Sequence, residues 1–129
     1  MKFMLQMNVK KGPYQMEGWS QDDVKRMVGF MHQLNADLSA KGQLVSAEGL
    51  VAPEQTRVVK ANDAGSPIVT DGPFAESKEF IAGYWIVEVT SADEAYAIAA
   101  QASACPGPGG KPLNMPIELR EVGTPPPVD

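Results

Sequence analysis

The sequence predicts an α+β fold: a ferredoxin-like split β-α-β arrangement with extra strands, its antiparallel sheet covered by helices on one face. Three observations carry that expectation. The elements run strand, helix, several strands, helix, strand; each helix carries a single apolar stripe; and one long strand is apolar on both faces.

Residues 3–9, FMLQMNV, set Phe3, Leu5, Met7 and Val9 on one side of a strand and Met4, Gln6 and Asn8 on the other. That period of two is the strand signature, and Lys11-Gly12-Pro13 stops it. Residues 20–41 read as the first helix. Ser20 and Asp23 have the spacing of a capping box, with Asp in place of the usual Glu or Gln. Val24, Met27, Val28, Met31, Leu34 and Leu38 recur at the three-and-four spacing of one helical stripe. Gly42 stands where a left-handed C-terminal residue is wanted.

Short strands follow at 43–47, 56–60 and 67–70, separated by Pro53 and by the turn signal Asn62-Asp63-Ala64-Gly65. Residues 80–89 form a longer strand, with Ile81, Trp85 and Val87 on one face and Ala82, Tyr84 and Ile86 on the other. Apolar character on both faces marks a central strand covered on both sides. Residues 91–104 make the second helix, opened by Ser91 and Glu94 at capping-box spacing. Its inner stripe, Ala95, Ile98, Ala99 and Ala102, is small enough to lie close to a sheet. Cys105-Pro106-Gly107-Pro108 ends it, because proline cannot continue a helix. Residues 115–122 alternate as a last strand, Ile117 and Leu119 facing one way and Glu118 and Arg120 the other. The tail, 123–129, contains three consecutive prolines and is expected to be extended or disordered.

At 129 residues the chain is read as one domain, 1–122, followed by that tail. Eleven Lys and Arg against sixteen Asp and Glu leave a formal charge of −5, which argues against a sequence-independent grip on nucleic acid. One cysteine cannot form an internal disulfide. The N-terminal apolar run is interrupted by Gln6 and Asn8, and no run approaches the roughly twenty residues of a bilayer span. A cytoplasmic protein that binds no membrane is expected. The sheet face bearing Met4, Tyr84 and Ile86 is too apolar for water, and no third helix exists to cover it. A second copy, packed face to face about a two-fold axis, is the economical cover.

The run Asp71-Gly72-Pro73-Phe74-Ala75-Glu76-Ser77-Lys78-Glu79, followed by Phe80-Ile81-Ala82-Gly83-Tyr84-Trp85, resembles the DGPF-type branch of the YCII-related proteins. The segment 42–50, Cys105-Pro106 and the closing Ile117-Glu118-Leu119-Arg120 match in position. The resemblance implies a ferredoxin-like fold pairing into a dimeric α/β barrel, and no settled activity. In the wider family a His–Asp pair is credited with proton transfer. Here His32 is offset by about one position from that histidine, and the residue before Pro106 is Cys105, not aspartate.

Read physically, Asp71-Gly72-Pro73 is a turn: Asp71 can bond a backbone N–H two residues on, and Gly72 can take a positive φ. The competing reading takes Asp71 as a base and His32 as a second catalytic candidate. Lys78, Glu76, Tyr84, Glu118 and Arg120 are the ligand-binding candidates, with Gln6, Asn8 and Glu88 expected on the same face. For Glu76, Lys78 and Glu79 a solvated loop or a dimer salt bridge stays open. So does a Glu118–Arg120 pairing within one chain or across the interface. Cys105, at the partly negative end of a helix with no second cysteine or nearby histidine, reads as an inert thiol. The Pro-Gly-Pro-Gly-Gly run lacks both the dinucleotide fingerprint and the P-loop ending. No cofactor and no metal are expected.

Three functions compete. One is a small cofactor-free enzyme doing acid/base chemistry on a small organic molecule. The second is a non-catalytic small-ligand-binding or regulatory module, and the third a purely structural homodimer. The enzyme requires Asp71 to line a cavity within hydrogen-bonding reach of a second titratable group; the binding module requires only the cavity.

Overall fold

The computed structural model describes residues 1–10, 16–74 and 78–127. Its elements are β1 (Lys2–Lys10), α1 (Gln21–Ala40), β2 (Leu44–Gly49), β3 (Arg57–Ala61), β4 (Pro67–Asp71), β5 (Glu79–Glu88), α2 (Ala92–Ser103) and β6 (Ile117–Glu121). Four strands form one antiparallel sheet in the order β2-β5-β1-β6. With α1 joining β1 to β2 and α2 joining β5 to β6, this is the split β-α-β topology. The extra strands β3 and β4 pair with each other and form a separate two-stranded sheet.

The caps fix where the helices begin. Ser20 Oγ accepts from the Asp23 N–H and Asp23 Oδ2 accepts from the Ser20 N–H, both at 3.0 Å, a complete capping box. The other Asp23 oxygen accepts from the Gly109 N–H at 3.0 Å, tying the loop after α2 to the start of α1. At the far end Gly42 takes φ 68°, the left-handed conformation the sequence predicts. The second helix forms only half of its predicted box. Ser91 Oγ accepts from the Glu94 N–H at 3.3 Å, but the Glu94 carboxylate turns to the N–H and hydroxyl of Thr90 at 2.9 and 2.8 Å. Thr90 offers two donors, whereas Ser91 offers one backbone N–H.

Alternation then divides the sheet into two faces. Phe3, Leu5, Trp85, Val87 and Val89 are buried against Leu34 and Leu38 of α1 and Ala95, Ile98, Ala99 and Ala102 of α2. Fully buried Leu5 and Val87 each contribute about 1.5–3 kcal/mol of transfer free energy. Trp85 donates its indole N–H to Asn35 Oδ1 at 2.8 Å, so the core's largest ring is also its most directional member. Ser103 Oγ donates to the Met115 carbonyl at 2.6 Å, anchoring the run into β6.

Two register shifts modify the simple alternation. One lies between Leu44 and Ser46, so that Leu44 and Ala47 both pack on the core while Ser46 and Glu48 share the other face. The second lies between Met7 and Asn8 and sets Ile81 opposite Asn8. Ile81 therefore leaves the face that a strict period of two would have it share with Trp85.

Candidate functional site

Among the described residues no helix covers the second face of the sheet, and its register arranges side chains in transverse rows. Glu48 pairs with Tyr84, Tyr84 with Gln6, and Gln6 with Glu118, so one polar row crosses all four strands. The neighbouring row runs Ser46, Ile86, Met4, Arg120: apolar in the middle and cationic at the β6 edge. At a strand spacing of about 4.8 Å, each row is on the order of 14 Å long.

Hydrogen bonds organise one end of the polar row. Gln6 Nε2 donates to Asn8 Oδ1 at 2.9 Å, and Asn8 Nδ2 donates to Glu118 Oε1 at 2.9 Å. This chain of donors fixes which way the Asn8 amide points, since its oxygen and nitrogen each have one suitable neighbour. Arg120 forms no ion pair among the described residues. Glu88, on the same face, lies 3.6 Å from the N-terminal ammonium of Met1.

The predicted site residues divide between this face and three other places. Tyr84, Glu118 and Arg120 come together on it, with Gln6 and Asn8. Asp71 stands on the separate hairpin, its side chain 94% exposed and its carboxylate 3.6 Å from Arg57 Nε. His32 is exposed on α1, in the helical layer on the opposite side of the sheet. Lys78 is exposed just before β5, and Glu76 lies outside the described residues.

Glycine at position 72 answers to a different constraint from the one its sequence suggests. Its φ is not positive; instead, a Cβ there would sit 3.0 Å from Thr56 Cγ2 and 3.1 Å from Val58 Cγ2. The constraint on a side chain at this turn is thus close approach to two methyl groups rather than handedness.

Sequence reasoning misses Glu48. A strand ending at residue 47 stops two positions short of the end of β2 at Gly49 and so leaves Glu48 out. The signal was present in the polar–apolar–polar alternation Ser46, Ala47, Glu48, displaced by the bulge at Val45.

Ionisation is perturbed elsewhere. Hydrogen bonds from the Ser20 and Gly109 N–H groups hold the Asp23 carboxyl below its ordinary range. Those from the N–H and hydroxyl of Thr90 do the same for Glu94. Burial pushes the Cys105 thiol up, in keeping with an inert thiol. Among the described residues no three His, Cys, Asp or Glu side chains group to hold a metal ion. A groove of about 220 Å³ between α1 and α2, lined by Asp37, Lys41, Glu94 and Gln101 among others, lies on the helical side. No described helix is long and apolar enough to cross a membrane.

A model of the YCII-related domain matches residues 1–106. The uncharacterised protein R00369 of Rhizobium meliloti (strain 1021) is 31% identical over 105 residues, covering 81% of this chain and 84% of that protein. The matched span includes α1, α2 and three strands of the sheet. β6, which carries Glu118 and Arg120, lies beyond the part that the domain model matches.

Proposed function

The chain belongs to the YCII-related domain family, and on that premise we propose that it is a homodimer binding a small polar organic molecule on the uncovered sheet face. One observation carries this reading: the polar row Glu48–Tyr84–Gln6–Glu118, organised by the Asn8–Glu118 bond, lies beside the half-buried apolar pair Met4 and Ile86. Apolar walls with a few oriented polar groups are what small-ligand sites have in common.

The second copy follows from the same face. Met4, Ile86 and the Tyr84 ring form an apolar strip that the helices do not reach, and a two-fold axis covers it with its own equivalent. Two such faces would enclose the polar rows between them. A single buried thiol fits a reducing, cytoplasmic setting.

Acid/base chemistry is the second reading. It is favoured by Tyr84 and Glu118, two ionisable groups flanking Gln6 on one row. A proton-transfer enzyme built here would use those groups rather than Asp71 and His32, which stand on the hairpin and in the helical layer.

Sedimentation tests the assembly, with a species of twice the chain's 13.8 kDa expected at micromolar concentration. Ile86→Glu should return it to a folded monomer. Amide-resolved NMR titration with a broad set of small polar molecules tests the site. Shifts are expected at Gln6, Tyr84 and Glu118 and not along the outer face of α1. A monomeric wild type, or shifts confined to the helical layer, would overturn the proposal.

A further inference from the structure

Glu118 and Arg120 alternate on β6 with Leu119 turned to the core side between them, so both charged groups stand on the open face about 7 Å apart at their Cα atoms. Their surroundings differ. One Glu118 oxygen already accepts from Asn8 Nδ2 at 2.9 Å, and Asn8 is itself held by Gln6. The carboxylate is therefore oriented, with its second oxygen available as an acceptor. An ionised carboxylate only accepts, so what it takes from a ligand is an N–H or O–H. Arg120 only donates, forms no ion pair among the described residues, and presents a planar fork that suits a carboxylate in two-point contact.

Opposite charges this close also select against simpler ligands. A bare anion drawn to Arg120 meets the repulsion of Glu118, and a bare cation drawn to Glu118 meets that of Arg120. Met4 lies directly across from Arg120 and Ile86 next to Met4, which gives a ligand's carbon atoms an apolar floor.

We infer that the molecule bound on the open face is a small carboxylic acid that also carries an amine or hydroxyl donor. Arg120 holds its carboxylate and Glu118 its donor; Asn8 and Gln6 are positioning residues. This rests on the binding reading above and specifies its chemistry.

The test uses the full chain and four three-carbon probes: L-alanine, L-lactate, propionate and propylamine. Chemical-shift titration should show alanine, lactate or both binding at the amides around residues 84 and 118–120. They should bind roughly 10- to 100-fold more tightly than propionate or propylamine, the worth of one charge-assisted hydrogen bond. Alanine ahead of lactate identifies an ammonium donor, and the reverse a hydroxyl; either supports the inference.

Arg120→Gln should abolish the preference for a carboxylate, and Glu118→Gln the preference over propionate. Both side chains are exposed, so circular dichroism should report an unchanged fold. If propionate binds as tightly as alanine and lactate, or Arg120→Gln changes nothing, the ligand class is wrong. Other molecules that still move the open-face amides would leave the binding reading standing. A face that no molecule in the broad set perturbs overturns both.

Discussion

The Asn8 side-chain amide donates to Glu118 Oε1 at 2.9 Å, joining β1 to the edge strand β6 across 110 residues of sequence. It links distant parts of the chain through side chains, and it sits on the polar row of the open face. Among the described residues the edge strand has no neighbour on its outer side, so this bond adds to what the backbone ladder supplies there.

Asn8→Ala removes both the donor to Glu118 and the acceptor for Gln6. The face is solvent-accessible in one chain, so water replaces much of what is lost. Stability should fall by only about 0.5–1.5 kcal/mol. Hydrogen exchange should accelerate across β6 while β5, paired on both sides, keeps its protection. Equal acceleration in β5 would show that the bond supports the whole sheet.

Gly83→Ala should disturb the other end of the polar row. A Cβ at this position would lie 2.9 Å from the Glu48 carbonyl oxygen and 3.4 Å from the Gly49 Cα, both backbone atoms that cannot rotate away. The strands β2 and β5 must separate to admit it, at a cost of roughly 1–3 kcal/mol. Denaturant unfolding reads the loss, and amide shifts at Glu48 and Tyr84 read the displacement. An alanine variant of wild-type stability would mean that β2 yields freely at its end.

The particular elements show why the fold was more legible than the site. Capping residues, an alternating strand and a small-residue helix stripe are local, and Ser20, Leu5 and Ala99 could each be placed from their neighbours in sequence. The polar row is not local: it is set by register, and register was changed by bulges at Val45 and near Asn8. Period-two alternation alone therefore placed Tyr84 and Glu118 on one face, yet lost Glu48 and misassigned Ile81. The density of charge in 71–79 drew attention to Asp71, whose carboxylate instead faces solvent beside Arg57 on a separate hairpin. Nothing in the sequence distinguishes a charged turn at a site from one on an arm.

Acid should weaken the protein through its two helix N-termini. The Asp23 and Glu94 carboxyls titrate below their ordinary values of 3.8 and 4.5, because backbone N–H and hydroxyl donors favour the ionised forms. A carboxyl with a depressed folded-state pKa stabilises above its unfolded value, and that contribution is lost as the pH falls through the folded one. The melting temperature should therefore decline as the pH drops below about 4.5 and continue to decline below 3.8. Asp23→Ala and Glu94→Ala should lower stability at pH 6 and flatten the acid slope. Variants that keep the wild-type slope would place the acid sensitivity elsewhere.

Cys105 should respond at the opposite end of the pH scale. The thiol is buried just after α2, and loss of solvation raises its pKa above the ordinary 9.0. The folded state thus holds the proton more tightly than the unfolded chain does. Well below pH 9.0 both states are protonated and the group adds no pH dependence; as the pH rises through 9.0 the unfolded chain ionises first and stability falls. Cys105→Ala should remove that alkaline slope. It should also cost roughly 1–2 kcal/mol at neutral pH for the lost packing, while Cys105→Ser adds the penalty of a buried hydroxyl. Iodoacetamide should label the native protein slowly at pH 8 and the urea-unfolded chain at the rate of a free thiol. Native labelling as fast as unfolded would mean that the end of α2 opens readily. The thiol's inertness would then be a matter of access lost and regained rather than of a fixed, dry site.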